Sequence, residues 1–198
     1  MFKHLFWFDG VDRTGKSSVV GFLREELENR GFKVKAIETK ELLGVKVPSL
    51  IGSLPDEITY MLFWQAIRLQ ELNVITPALE EGYIVLCDRG PLSQFAYDWE
   101  SLDAGFKHRI DEIYFNRCIT PNRIYIFYMN YNKFLERDDK RTVLTEERFY
   151  RIQEAYKHWG EIYRGFTPVV YVNSEGSLEE EQKGVLQHML CVIGGKDG

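Results

Sequence analysis

The stretch from Phe8 to Ser18 constrains the fold of this chain more strongly than any other. It follows the pattern G-x-x-x-x-G-K-S, whose fixed residues are Gly10, Gly15, Lys16 and Ser17. The two glycines let the backbone curl so that consecutive N–H groups point at phosphate oxygens, the lysine adds a positive charge, and the serine hydroxyl can bind Mg²⁺. An apolar run ends at Phe8 and an amphipathic run begins at Ser18, which is the order of strand, loop and helix that such a loop needs. The sequence therefore predicts a loop that binds nucleotide phosphates.

Short apolar runs alternate with longer helical patterns along the rest of the chain. The predicted strands are Leu5–Phe8, Lys33–Thr39, Tyr83–Cys87, Arg123–Met129 and Pro168–Val172. The predicted helices lie near residues 18–30, 56–81, 105–118, 146–164 and 177–191. This alternation is typical of an α/β fold, with a mainly parallel five-stranded sheet flanked by helices. Because no linker or repeat divides the chain, we expect one domain over residues 1–193 and a flexible tail at 194–198.

Composition and charge argue against several classes of protein. The formal net charge is −5, whereas proteins that coat nucleic acid usually carry an excess of basic residues. The cysteines have no C-x-x-C spacing and the histidines form no ligand pair, which argues against a disulfide framework or a zinc site. The N-terminus has no charged-then-apolar signal pattern, and no apolar run reaches the length of a membrane span. We therefore expect a cytoplasmic protein that does not contact a membrane.

Polar residues stand where two of the predicted strands end, and ligands of α/β proteins bind at such ends. In the glycine-rich loop, Asp12 can accept a hydrogen bond from a substrate hydroxyl, or it is a solvated loop charge. Arg13 beside it can stabilise a transferring phosphoryl group. After the third strand, Asp88 is a candidate ligand for Mg²⁺ together with Ser17, and Arg89 can bind a phosphate through its fork of donors. The alternative for Asp88 and Arg89 is a structural ion pair.

Two further segments carry candidate binding residues. Trp64 and Arg68 lie four residues apart and therefore share a helical face, where they could stack on a base and bind its phosphate. Because this helix is apolar throughout, the alternative is that its aromatic residues belong to the core. The charged run after the fourth strand predicts a lid over about residues 136–146, which would close over phosphates and exclude water. The basic residues of this lid are Arg137, Lys140 and Arg141, and the alternative is a solvated charged loop.

In combination, these motifs resemble those of the thymidylate kinase family over most of the chain. The loop resembles the family pattern E-G-x-D-x-x-G-K-[ST], with Asp9 in place of the glutamate. The run from Asp88 to Tyr97 resembles the signature D-R-[YH]-x-x-S-x-x-A-[YF], with Gly90 in place of the aromatic residue or histidine. Trp64 and Arg68 match the family's F-x-x-x-R. The resemblance implies the P-loop NTPase fold, Mg²⁺-dependent phosphoryl transfer from ATP to dTMP, and a homodimer.

The resemblance also implies roles for individual residues. The ATP-binding residues would be Gly10, Asp12, Arg13, Thr14, Gly15, Lys16, Ser17 and Ser18. The dTMP-binding residues would be Asp12, Lys40, Trp64, Arg68, Arg89, Ser93 and Tyr97. Within that second set, Trp64 would stack on thymine and Asp12 would bind the 3′-hydroxyl of the deoxyribose. The catalytic residues would be Lys16, Arg13, Arg89 and Asp12, and the metal ligands Ser17 and Asp88.

Departures from the family pattern leave two other functions open. A deoxynucleoside kinase is one, because Glu38 ends the second strand, where a base for the sugar 5′-hydroxyl would stand. Such kinases commonly carry E-R-S after the third strand, however, and this chain carries Asp88 and Arg89. A nucleotide-binding regulator without transferase activity is the other. It is kept open by Gly90 and by Lys40, which offers a point charge in place of an arginine fork.

Overall fold

A five-stranded sheet in which every pairing is parallel forms the centre of the fold. The computed structural model describes residues 4–38, 41–42, 45–46, 56–98, 103, 105–106, 108–109, 112, 118–137 and 144–194. Its strands are β1 (Leu5–Gly10), β2 (Val34–Glu38), β3 (Glu41–Leu42), β4 (Val45–Lys46), β5 (Ile84–Asp88), β6 (Arg123–Tyr128) and β7 (Val169–Asn173). The large sheet has the order β2-β5-β1-β6-β7, and β3 pairs with β4 in a separate antiparallel ribbon. The predicted α/β fold is confirmed, whereas the predicted domain limits stay a prediction.

Helices connect these strands and cover the sheet. They are α1 (Lys16–Asn29), α2 (Asp56–Gln70), α3 (Thr76–Glu80), α4 (Pro91–Asp98), α5 (Tyr131–Glu136), α6 (Glu146–Tyr163) and α7 (Leu178–Ile193). The single helix predicted at 56–81 is divided by a π-helical turn, Glu71–Ile75, between α2 and α3. In the region predicted as a helix at 105–118, the described residues 105–106, 108–109 and 112 are helical and residue 118 is not.

Helix α4 has no counterpart among the predicted helices. It begins at Pro91, and proline is favoured at the first position of a helix because its missing N–H would have no partner there. The helix is short and directly follows the Asp88–Arg89 motif, so it has too few turns to show a clear apolar period. Helix α4 bears on the candidate site because it carries the predicted site residues Ser93 and Tyr97.

The side chains of the strands alternate between two apolar layers. Trp7 of β1 and Cys87 of β5 belong to one layer, which α2, α4 and α6 cover. Phe8 of β1 and Tyr125 of β6 belong to the other, which α1 and α7 cover, and their rings stack with centroids 5.2 Å apart. Because both faces of a parallel sheet are buried, β1 and β5 are apolar runs without polar positions until they reach their carboxyl ends.

The carboxyl ends of the central strands bring the sequence motifs together. Phe8 of β1 is paired with Asp88 of β5, and Asp88 is paired on its other side with Glu38 of β2. The glycine-rich loop and the Asp88–Arg89 motif therefore leave the sheet side by side, at the edge where α/β proteins bind ligands. Within the described part of the chain, no helix is both long enough and apolar enough to span a membrane.

Candidate active site

The glycine-rich loop connects β1 to α1 and has the backbone that the motif predicts. Gly10 has φ 134° and Gly15 has φ 88°, values that side chains with a Cβ rarely allow. A Cβ at Gly10 would also collide with the backbone of Phe127 in the neighbouring strand. Gly15 is the N-cap of α1, so the N-terminus of this helix, with its unpaired N–H groups, faces the loop. The loop can therefore hold an anion, as its sequence predicts.

Lys16 lies inside this loop and is buried. Its Nζ donates hydrogen bonds to the Val11 carbonyl at 2.6 Å and to Thr14 Oγ1 at 3.0 Å. Burial lowers the pKa of Lys16 to about 7, an effect that Arg89 reinforces and that the nearby aspartates oppose. Thr14 in turn donates its hydroxyl to the Val11 carbonyl at 2.8 Å. Phosphate oxygens brought into the loop would therefore give the ammonium group stronger acceptors than one carbonyl and one hydroxyl.

Ser17 and Asp88 meet at the candidate metal site. The Ser17 hydroxyl donates a hydrogen bond to the Asp88 carboxylate, across the interface between α1 and the end of β5. A hydroxyl and a carboxylate are hard oxygen donors of the kind that Mg²⁺ prefers, so this pair fits the predicted metal. Within the described residues, no cluster of three or more His, Cys, Asp or Glu side chains could hold a metal by itself. Such a site suits an ion that keeps several waters and binds substrate phosphates.

Arg89 joins the two motifs in space. It has φ 78°, a left-handed conformation that is uncommon outside glycine. Its guanidinium forms an ion pair with the Asp12 carboxylate and donates to the Gly10 carbonyl at 3.3 Å. The same group lies 5.3 Å from the centre of the Tyr97 ring, and Tyr97 Oη accepts a hydrogen bond from the Asp12 backbone N–H at 3.2 Å. Three predicted dTMP-binding residues, Asp12, Arg89 and Tyr97, thus form one cluster.

Two residues of this cluster were not predicted as site residues. Tyr156 of α6 lies buried beneath Arg89, and its hydroxyl accepts from the guanidinium at 3.2 Å and contacts Ser93 Oγ at 2.9 Å. Asp9, at the end of β1, accepts hydrogen bonds from Ser93 Oγ at 2.6 Å and from the Gly90 backbone N–H at 3.1 Å. Burial raises the pKa of Asp9, whereas these hydrogen bonds lower it. In the sequence, Tyr156 looks like any apolar position of an amphipathic helix, and Asp9 is visible only as a replacement for glutamate.

Arg13 points away from this cluster, towards the base of the predicted lid. Its guanidinium lies over the Phe134 ring of α5, 4.3 Å from the ring centre, and donates to the Phe134 carbonyl at 3.5 Å. Arg137, the first residue after α5, donates to the Arg13 carbonyl at 3.3 Å and forms an ion pair with Glu181 of α7 at 3.4 Å. Arg137 thus links the start of the predicted lid with the loop and the C-terminal helix. The predicted lid residues Lys140 and Arg141 lie outside the described residues.

Arg68 and Trp64 of α2 face different surroundings. Arg68 forms an ion pair with Glu71, the first residue of the π-helical turn, and Glu71 also accepts from the Ile119 backbone N–H at 3.1 Å. Burial raises the pKa of Glu71, an effect that Ile119 and Arg68 oppose. A cleft between this turn and the start of α4 is lined by Glu71 and Arg89, among others. Arg68 therefore has a carboxylate partner in the wall of a cleft that Arg89 also lines.

Trp64 is fully buried, and its ring packs edge-on against Phe95 with centroids 5.2 Å apart. It is a core residue in this structure, so its predicted contact with a base stays a prediction. The predicted phosphate contact Lys40 lies outside the described residues. Ser18, in the first turn of α1, is exposed and accepts a hydrogen bond from Gln182 through its carbonyl at 3.3 Å.

Comparison with known proteins identifies the family. A family model described as thymidylate kinase matches residues 8–185. A thymidylate kinase of Caldicellulosiruptor saccharolyticus is 30% identical over 186 residues, which cover 87% of this chain and 89% of the relative. A thymidylate kinase of Exiguobacterium sibiricum is 30% identical over 93% of each chain, and a probable thymidylate kinase of Methanosarcina acetivorans is 28% identical over 96% of each chain. Since the match extends from the strand that enters the phosphate loop to the last helix, the chain belongs to the thymidylate kinase family.

Proposed function

We propose that this protein transfers the γ-phosphate of ATP to dTMP, which yields ADP and dTDP. The observation that carries the proposal is the ion pair of Arg89 and Asp12, which joins the D-R motif to the phosphate loop. A donor phosphate chain in the loop and an acceptor beside Arg89 would then be neighbours. The relatives named above are described as thymidylate kinases, which supports dTMP as the acceptor.

The donor side of the reaction depends on the phosphate loop. The loop N–H groups and Lys16 would bind the β- and γ-phosphates of ATP, and Lys16 would be held in its charged form by the phosphates. Mg²⁺ held by the Ser17 hydroxyl and the Asp88 carboxylate would neutralise charge on the phosphates. Arg13 would have to leave Phe134 to contact the transferring phosphoryl group, and its position beside α5 connects that movement with the lid.

The acceptor side needs positioning rather than a strong base. A phosphate monoester is already anionic at neutral pH, so one of its oxygens can attack the γ-phosphorus in line without losing a proton to the protein. Arg89 would bind this phosphate and hold it at the correct distance. Arg68 would be a second cation nearby, since its partner Glu71 lines the same cleft as Arg89. Asp12 would bind the 3′-hydroxyl. The lid, with Arg137 at its base, would exclude water and so limit hydrolysis of ATP.

A homodimer is part of the proposal, and the surface of α2 supports it. Large apolar side chains on the described surface of this helix and the following turn are more than a third exposed: Ile58, Met61, Leu62, Leu69 and Leu72. Their spacing of three, four and seven residues places them on one helical face. In a two-fold symmetric dimer the same stripe of each copy would pack against the other and be removed from water, which supports a second copy of the chain as the partner.

An acceptor panel tests the proposed function. Purified protein with ATP and Mg²⁺ is offered dTMP, dUMP, dCMP, dGMP and thymidine, and ADP formation is measured for each. We expect the highest kcat/KM with dTMP and no turnover for the Lys16→Ala variant. Preference for thymidine would favour a deoxynucleoside kinase with Glu38 as its base. ATP binding without transfer to any acceptor would favour a nucleotide-binding regulator.

A further inference from the structure

Asp9 lies fully buried at the end of β1, where its carboxylate accepts hydrogen bonds from the Ser93 hydroxyl and the Gly90 backbone N–H. One oxygen accepts from Ser93 Oγ at 2.6 Å, and the two oxygens lie 3.1 and 3.2 Å from the Gly90 backbone N–H. Arg89 and Lys16 are the nearby cations that favour its ionised form. A buried carboxylate surrounded by donors fixes the direction of the hydrogen bonds that reach it, because it can only accept when ionised.

The donor and the acceptor of each hydrogen bond can be assigned in turn from Asp9 to Arg89. Ser93 has one hydroxyl proton, and it goes to Asp9, so Ser93 Oγ is left as an acceptor for its two other neighbours. These neighbours are the Tyr156 hydroxyl at 2.9 Å and the Arg89 guanidinium at 3.2 Å. Tyr156 therefore donates to Ser93 and uses its lone pairs to accept from Arg89 at 3.2 Å. Each hydroxyl proton in the network therefore points towards Asp9. Arg89 Nη1 has two protons for three acceptors, the Gly10 carbonyl, Ser93 Oγ and Tyr156 Oη, so its protons are shared among them.

Gly90 makes the close approach of Asp9 possible. A Cβ at this position would lie 2.7 Å from the Trp7 ring and 2.9 Å from Asp9 Oδ2, distances that real side chains do not adopt. Two of the departures from the family pattern, Asp9 and Gly90, are thus in direct contact. The Gly90 N–H that donates to Asp9 belongs to the peptide that follows Arg89, whose φ of 78° is left-handed. Asp9 therefore restrains the backbone of Arg89 through the Gly90 N–H, and the side chain of Arg89 through Ser93 and Tyr156.

We propose that Asp9 is a positioning residue for Arg89: it is the buried anion that orients the Ser93 and Tyr156 hydroxyls and holds the guanidinium in place for the acceptor phosphate. The role of Arg89 in this statement rests on the proposed function, whereas the orientation of its side chain does not. Without the negative charge of Asp9, the donor and acceptor roles of the Ser93 and Tyr156 hydroxyls are no longer fixed. With a neutral amide at position 9, one NH₂ group faces the Gly90 N–H or the Ser93 hydroxyl. The guanidinium then keeps its contacts with Asp12 and Gly10 but loses the fixed acceptors at Ser93 and Tyr156, so that it rotates more freely.

The test compares Asp9→Asn with Thr167→Val, which removes another buried hydrogen bond. The Thr167 hydroxyl donates to the Pro121 carbonyl at 2.6 Å, near the opposite end of the sheet, so this variant controls for lost stability. For Asp9→Asn we expect kcat/KM for dTMP to fall by about tenfold or more, and the affinity for ATP to fall less, because Asp9 is the weakest of the three aspartates that favour the charged form of Lys16. Thr167→Val should keep both values. Equal kinetic losses in the two variants, or wild-type kinetics for Asp9→Asn, would overturn the proposal.

A second readout is independent of the reaction. In protein labelled with ¹⁵N-arginine, hindered rotation gives a restrained guanidinium separate NMR signals for its two NH₂ groups, and Arg89→Lys identifies those of Arg89. We expect separate signals in the wild type and in Thr167→Val, and one averaged signal in Asp9→Asn. Ser93→Ala breaks the same network without altering Asp9, so it should also give the averaged signal. This variant replaces Asp9→Asn in the test if Asp9→Asn does not fold. Unchanged Arg89 signals in either variant would overturn the proposal. A wild-type protein that shows this pattern but transfers no phosphate to dTMP would refute the proposed function alone.

Discussion

Replacement of Lys16 by methionine should stabilise the free protein while it abolishes phosphoryl transfer. Burial lowers the pKa of Lys16 from 10.5 to about 7, so its charged form is disfavoured in the folded chain. At about 1.4 kcal/mol per pKa unit, the charge costs about 4 kcal/mol at neutral pH. Methionine has a similar length and no charge, but it gives up the hydrogen bonds to Val11 and Thr14, worth about 1 kcal/mol each. The expected net gain for Lys16→Met at pH 7 is therefore about 2 kcal/mol.

The same reasoning predicts how this gain depends on pH. Between about pH 7 and pH 10.5 the unfolded chain holds a proton on Lys16 that the folded chain releases, so the stability of the wild type rises with pH across this window. Lys16→Met lacks that contribution. The difference in the free energy of unfolding between variant and wild type should therefore shrink by about 2 kcal/mol between pH 7 and pH 9.

Urea denaturation without nucleotide, followed by circular dichroism at both pH values, measures this difference. Lys183→Met is the matched control, because Lys183 is an exposed lysine paired with Glu179 at the surface. It should show no comparable change with pH. If Lys16→Met is less stable than the wild type at pH 7, or if the difference does not vary with pH, the buried charge is not the dominant cost and the reasoning is refuted.

Three further predictions concern the acceptor cleft, the metal and the dimer. Arg68→Met should raise the KM for dTMP by about tenfold or more while the KM for ATP stays constant. It should also lower the free energy of unfolding, because buried Glu71 loses its cation. Equal changes in both KM values would contradict the proposed role of Arg68. Asp88→Asn should require about tenfold more Mg²⁺ for half-maximal activity, and an unchanged Mg²⁺ titration would argue against Asp88 as a ligand. Leu62→Glu, in the middle of the exposed apolar stripe, should convert a dimer into a monomer in light scattering after size exclusion, and an unaltered mass would place the interface elsewhere.

Much of the fold follows from local sequence signals. The apolar strands β1 and β5 end in motifs with fixed chemistry, so the sequence predicts both the parallel sheet and the edge at which Asp88 and the loop meet. Helix α4 is not predicted, because it is short and because it begins at Pro91, within the run Asp88–Tyr97 that is interpreted as a site motif. The π-helical turn at Glu71 escapes prediction for another reason: it continues a helix, and one extra residue per turn does not disturb the apolar period enough to be visible.

The candidate site divides in the same way. Residues within motifs, such as Lys16 and Arg89, are predicted because their spacing along the chain is fixed. Tyr156 and Asp9 are not, since their contacts with Ser93 join positions more than sixty residues apart in the chain. No local period reports such contacts, and a buried tyrosine on an amphipathic helix is usually core. Their roles become visible only when the direction of each hydrogen bond is followed in three dimensions.

The most direct test of the central claim follows the phosphoryl group itself. The protein is incubated with dTMP, Mg²⁺ and ATP that carries ¹⁸O in its γ-phosphate, and the products are separated by chromatography and identified by mass spectrometry. The account predicts dTDP with the label in its β-phosphate, in amounts equal to the ADP formed. Labelled inorganic phosphate with unchanged dTMP would contradict it, because that result would mean that ATP is hydrolysed at a site that does not position an acceptor.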